Sequence, residues 1–191
     1  MKEALSVLAG LLSIVALVPY IRGILRKETR PAKASWVVWA IVDVVILASM
    51  YAKGVVNGQI IGTVVGCLIV TVLALKYGAP GWTKLDKFCL IGAVLGIFIW
   101  QMSGEAIHGI VIALTVSAIG SVPTFVSAWE DHRRENKPAW AMVWFGSLCM
   151  FGAIPEWTFA SAVQPVTFFV LQSVLIYILF VRPRLLRLSA T

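Results

Sequence analysis

This chain is short of charge. Asp, Glu, Lys and Arg together make up 13% of its 191 residues, where a soluble domain carries about a quarter. With 60% hydrophobic residues and a mean hydropathy of +0.90, an ordinary soluble globular fold is excluded. No segment alternates polar and apolar residues over about ten positions, which excludes a membrane β-barrel. The three cysteines, Cys67, Cys89 and Cys149, are odd in number, form no CxxC and have no histidine nearby. They give neither a disulfide framework nor a metal site and read as packing residues. His108 and His132 have no ligand partners at useful spacing, and the last apolar run has no lysine for a retinal Schiff base. No cofactor is implied. The first residues lack a basic n-region and a small-residue cleavage site, so a cleavable signal peptide is not expected.

Long apolar runs are present instead. Residues 5–21, 34–51, 54–75, 88–104, 106–129, 138–155 and 157–181 each have the roughly 17–25 residues that cross about 30 Å of hydrocarbon as a helix. Seven spans are expected. Fourteen of the sixteen Lys and Arg residues fall on one side of that arrangement, leaving Lys2 and Lys53 on the other. The positive-inside rule then predicts a multi-pass protein of the cell (inner) membrane, with its N-terminus outside and its C-terminus in the cytoplasm. Cations confined to short loops at membrane ends point to the lipid bilayer as a partner, and to no nucleic acid.

The chain also repeats itself. Residues 13–19 read Ser-Ile-Val-Ala-Leu-Val-Pro and residues 117–123 read Ser-Ala-Ile-Gly-Ser-Val-Pro. A charged stretch follows each, then a Trp-bearing run ending at Trp39 or Trp144. Pro19 to Trp39 is 20 positions and Pro123 to Trp144 is 21, and further on Gln59 falls on Gln164. Residues 88–102 have no counterpart. A three-helix unit that starts outside and ends inside needs one extra crossing before a second unit enters the same way round. The expected organisation is a first triple-helix bundle over residues 4–78, a loop and linker helix over 79–103, a second bundle over 104–184 and a tail over 185–191. The 79–83 stretch Ala-Pro-Gly-Trp-Thr is the clearest punctuation, with Thr83 or Asp86 as a helix cap. Small residues (Gly58, Gly62 and Gly66; Gly92 and Gly96; Ala113, Ser117 and Ser121) mark close helix packing.

A proline low in the first helix of each unit, a basic loop, an aromatic-rich second helix and a three-plus-one-plus-three plan resemble the SWEET, SemiSWEET and PQ-loop transporters. Val122-Pro123-Thr124-Phe125 is the closest local match, with Val18-Pro19-Tyr20 in the first copy. The resemblance implies facilitated or proton-coupled transport of a small solute by alternating access, with Pro19 and Pro123 as hinges of an inner gate. Sugar-carrying members hold an Asn midway along the third helix of each unit, where this chain has Ile61-Gly62-Thr63 and Val166-Thr167-Phe168. The family often oligomerises, so a homo-oligomer joins the expected partners.

Asp43 is the one acidic residue inside an apolar run, about 12 Å in from the cytoplasmic end of its helix. A carboxylate at that depth must be paired, hydrated or protonated. It suits either a substrate contact or a structural bond to a Trp N–H or to Arg22. Leu148 takes its place in the second copy, so any site is asymmetric. Trp39, one turn from Asp43, and its counterpart Trp144 are candidate walls of a pocket. Trp36, Trp82, Trp129 and Trp140 read as headgroup anchors. Gln59 and Gln164 suit a substrate contact or an interhelical bond; Thr63, Thr167 and Gln172 are weaker candidates.

The expectation is a transporter of a small polar solute, with sugars among the candidates, bound between the two bundles. A seven-helix receptor or a scaffold subunit without transport is the alternative. An intramembrane enzyme is not expected, because Asp43 has no converging catalytic partner.

Overall fold

The computed structural model describes residues 1–79, 82–103 and 105–188. Pro80 and Gly81 of the expected punctuation, Gly104 at the start of the expected second unit and residues 189–191 of the tail lie outside them. The packing of Gly96 is also outside the described features. The described residues are helical, with no strand among them. We number seven helices: α1 (Lys2–Leu25), α2 (Lys33–Ala52), α3 (Gly58–Tyr77), α4 (Lys84–Ser103), α5 (Ala106–Glu130), α6 (Lys137–Ala153) and α7 (Phe159–Ile176). The last continues through a π-helical turn, Tyr177–Val181, into Arg182–Leu188.

Five helices (α1, α2, α3, α5 and α7) are long and apolar enough to cross a membrane. Of the other two, α6 has 17 residues and α4 opens on Lys84, Asp86 and Lys87. Large apolar side chains face outward along the chain, among them Leu11, Val72, Phe88, Val94 and Val170. That much contiguous apolar surface suits lipid rather than water.

Local chemistry sets the helix ends. At the end of α1, Lys27 takes φ +62°. There the Lys27 and Glu28 amides bond back to the Ile24 and Gly23 carbonyls at 3.0 and 2.9 Å, a left-handed Schellman cap. Gly54, at φ +68°, closes α2 the same way. Side chains of Asn57, Asn136 and Thr158 cap α3, α6 and α7. Thr83 and Asp86 exchange side-chain to backbone bonds of 3.1 and 2.7 Å at the start of α4, so the expected cap uses both residues.

Pro19 and Pro123 act differently. α1 is interrupted at Ala16, one turn before Pro19, separating Lys2–Val15 from Leu17–Leu25, as a missing amide and a crowding ring dictate. α5 runs through Pro123 without interruption. There the Cys89 thiol on α4 donates at 3.4 Å to the Ile119 carbonyl, the acceptor that proline at i+4 leaves without its helical donor. Cys89 is therefore more than the packing residue expected.

Helix neighbours follow a pattern. α3 packs against both α1 and α2, and α7 against both α6 and α5; α1 meets α6, and α2 meets α5. Six helices thus close a ring in the order α1, α3, α2, α5, α7, α6, with α4 outside against α5 and α2. Backbone contact makes the α1–α3 seam. A Cβ on Gly58 would fall onto the Ser6 carbonyl, and one on Gly62 would lie 2.6 Å from the Gly10 carbonyl oxygen. The stripe expected on α4 differs at Gly92, where an added Cβ meets nothing within 4 Å.

The ring has two ends. At one, the Arg30 amide bonds the Arg134 carbonyl at 2.9 Å, Ala79 bonds Pro31 at 3.0 Å, and Arg182 reaches the Trp129 carbonyl at 2.8 Å. The basic loops therefore share one end. The N-terminal end is tied by Lys2 bonding the Pro155 carbonyl at 2.9 Å.

Candidate functional site: a cavity within the helix ring

A cavity of about 110 Å³ lies inside the ring, and all six of its helices line it. Its walls are largely apolar and aromatic. Among the described lining residues Asp43 is the only one with an ionisable carboxyl group, and none is Lys, Arg or His.

Asp43 reaches this cavity from the middle of α2 and is 2% exposed. One carboxylate oxygen, Oδ2, accepts the Cys67 thiol at 3.2 Å. The other, Oδ1, is buried with no hydrogen-bond partner. Neither Arg22 nor a Trp N–H holds it. Cys67, on the small-residue face of α3 beside Gly66, thus has a polar role that packing alone did not suggest. Thr63 also lines the cavity, with its hydroxyl bonded to the Gln59 carbonyl one turn back at 2.9 Å.

Toward the basic end the cavity meets four rings: Tyr20 from α1, Trp36 and Trp39 from α2, and Trp140 from α6. Their centroids lie 5.2 Å apart for Tyr20–Trp36 and Trp36–Trp39, and 6.1–6.3 Å from Trp140. Trp39 donates its N–H to the Ser117 carbonyl of α5 at 3.2 Å. Trp36 and Trp140 are 8% and 9% exposed, so they belong to the core rather than to the headgroup layer. Their side chains point into the ring, where neighbouring rings replace lipid. Trp82 and Trp129 are exposed as anchors would be, and Arg182 sits 3.9 Å over the Trp129 ring.

Behind the rings lies Glu135, in the loop between α5 and α6 and 4% exposed. Its Oε2 accepts the Tyr20 hydroxyl at 2.9 Å and the Trp140 N–H at 2.8 Å, while Oε1 has no partner. Burial pushes its carboxyl up to about 7, with the bonds from Trp140 and Tyr20 pulling the other way. The next residue, Asn136, donates to the Pro19 carbonyl at 2.9 Å. The α5–α6 loop is thereby tied to α1 just beside its proline.

Beyond the opposite end lies a set of bonded amides. Gln164 Nε2 donates to Gln59 Oε1 at 3.2 Å, Gln59 Nε2 donates to the Ser147 hydroxyl at 2.7 Å, and Asn57 Nδ2 donates to Gln164 Oε1 at 2.8 Å. Ser147 in turn contacts Gln172, which lines the cavity. Gln59 and Gln164 are 1% and 0% exposed.

The candidate residues are therefore dispersed. Trp39, Asp43 and Thr63 line the cavity, while Gln59 and Gln164 are not among its lining residues and bond each other. Trp144 and Thr167 are not among the lining residues. The Trp144 N–H bonds Ser173 at 2.9 Å and its ring stacks on Phe169, while Thr167 bonds the Val163 carbonyl of its own helix at 2.7 Å. Pro19 and Pro123 stand behind the cavity wall. Glu135, Tyr20, Trp140 and Cys67 were missed. Tyr20 directly follows the helix-bending proline, a signal that could have found it; Glu135 sits in a charged loop and resembles any solvated residue. Compared with family models, characterised proteins and solved structures, the chain finds no match.

Proposed function

We propose that the chain is a multi-pass membrane carrier that moves a small polar solute by alternating access. In this reading α1–α3 and α5–α7 are two like-oriented units of the SWEET and PQ-loop kind, and α4 is the crossing between them. The packing supports it, since the third helix of each unit lies against its first and second. The single observation that carries the proposal is a central cavity lined by all six ring helices, with hydrogen bonds between the units on either side of it. At one end these are Gln59 to Gln164 and to Ser147; at the other, Tyr20 to Glu135. A cavity so placed suits a carrier, and breaking either set alone would widen it toward one side. The interruption of α1 beside Pro19 gives the basic-end gate a place to bend. The positive-inside rule assigns that end to the cytoplasm.

The test is solute counterflow in reconstituted vesicles, across sugars, amino acids, vitamins, nucleosides and amines. Exchange of one class, lost in Trp39→Ala and Asp43→Asn variants that still fold, is the expected result. Ligand binding without exchange of any solute would replace the carrier with a receptor.

A further inference from the structure

The cavity has a polar demand that the protein leaves unmet. Asp43 Oδ1 is buried at its wall without a partner, and no described cation lines it. In a surrounding this apolar, a carboxylate needs a positive charge or a proton. One turn along α2, Trp39 faces the same space on the same side of the helix. Tyr20, Trp36 and Trp140 extend the aromatic wall from there. The negative faces of indole and phenol rings attract a cation that has shed its water, and boxes of such rings recognise alkylated ammonium groups. The cavity, at about 110 Å³, is somewhat smaller than the roughly 150 Å³ apolar void that accepts benzene. It therefore suits a compact head of a few heavy atoms rather than a bulky ring system.

We infer that the cavity takes a small organic ammonium compound, with its charge beside Asp43 Oδ1 and its alkyl groups against Trp39 and the rings next to it. The inference deepens the carrier reading by naming its substrate class, and it rests on that reading only for the claim that the ligand is moved. Cys67 keeps Oδ2 engaged, so Oδ1 is left for the ligand. The aromatic wall sorts ligands by shape and the carboxylate sorts them by charge.

The test compares two probes of nearly equal shape on purified protein in micelles by titration calorimetry: choline and its uncharged carbon isostere, 3,3-dimethylbutan-1-ol. Choline is expected to bind at least tenfold more tightly than the isostere. This comparison uses the unaltered chain, so it does not depend on a variant folding. Choline affinity should fall at least tenfold in Asp43→Asn, and less in Trp39→Phe than in Trp39→Leu. Equal binding of the two probes would overturn the inference, because Asp43 would then be carrying a proton. So would an absence of binding by choline, tetramethylammonium and ethylammonium alike. Choline that binds but does not exchange across vesicles leaves this site standing and removes the carrier. Exchange of an uncharged solute with no ammonium binding does the reverse.

Discussion

Gln164 donates its side-chain amide to the Gln59 carbonyl oxygen across 3.2 Å, from 105 positions further along the chain. Both side chains are essentially unexposed, so neither finds water if the other is lost. Gln59→Leu or Gln164→Leu should each cost about 1–3 kcal/mol, the penalty of stranding a buried amide. The double variant should cost less than the two together, because neither glutamine is left facing a lost amide; Asn57 and Ser147 each lose one bond as they do in the single variants. Denaturation midpoints in micelles measure all three. Strict additivity would show that the amides do not depend on one another.

That pair was legible because the sequence similarity between the two stretches, read at a constant offset, brought Gln59 to Gln164. Asp43 was legible for a different reason, as a lone charge in an apolar run draws notice wherever it points. Helix number followed from the runs themselves, while their neighbours did not. Trp36 and Trp140 looked like interface residues because depth along a helix can be counted, whereas the direction a side chain faces depends on partners far away in sequence. Trp39 and Trp144 match across the repeat, yet one reaches the cavity and the other Ser173. Positions that match in sequence thus differ in what they touch.

Glu135 makes the protein's stability depend on pH. Its carboxyl lies at about 7 in the folded chain against an ordinary 4.5, because burial disfavours the charged form. The folded state therefore holds this proton more tightly than the unfolded state. The resulting stability is fully present below about 4.5 and is lost as pH rises through about 7. The interval corresponds to on the order of 3 kcal/mol. Melting temperature should fall between pH 5 and pH 8, and Glu135→Gln should flatten that dependence while keeping an acceptor for Tyr20 and Trp140. An equally steep fall in the variant would place the titration elsewhere.

Gly58 and Gly92 make opposite predictions for the same change. At Gly58 a methyl group would meet the Ser6 backbone, which cannot rotate away as a side chain can. Gly58→Ala should force α1 and α3 apart and destabilise the fold by about 1–3 kcal/mol. At Gly92 the methyl has open space, so Gly92→Ala should be neutral, or stabilising by up to about 1 kcal/mol through helix propensity. Thermal midpoints of the two variants in micelles decide the matter, and matching losses would contradict the α1–α3 contact.

Cys89 and Pro123 form a compensating pair across α4 and α5. Proline at 123 leaves the Ile119 carbonyl without its helical donor, and the Cys89 thiol bonds it at 3.4 Å. Cys89→Ala should therefore cost about 0.5–1.5 kcal/mol, a typical net hydrogen bond. Cys89→Ser should cost less, because its hydroxyl can still donate. Pro123→Ala restores the backbone donor, so adding Cys89→Ala to that variant should cost less than it does in the native chain, leaving only the loss of the buried sulfur. A thiol that only filled space would cost the same in both backgrounds, since the volume removed is identical. A denaturation-based double-mutant cycle separates the two, and α5 tolerates its proline through this contact only if the coupling is non-zero.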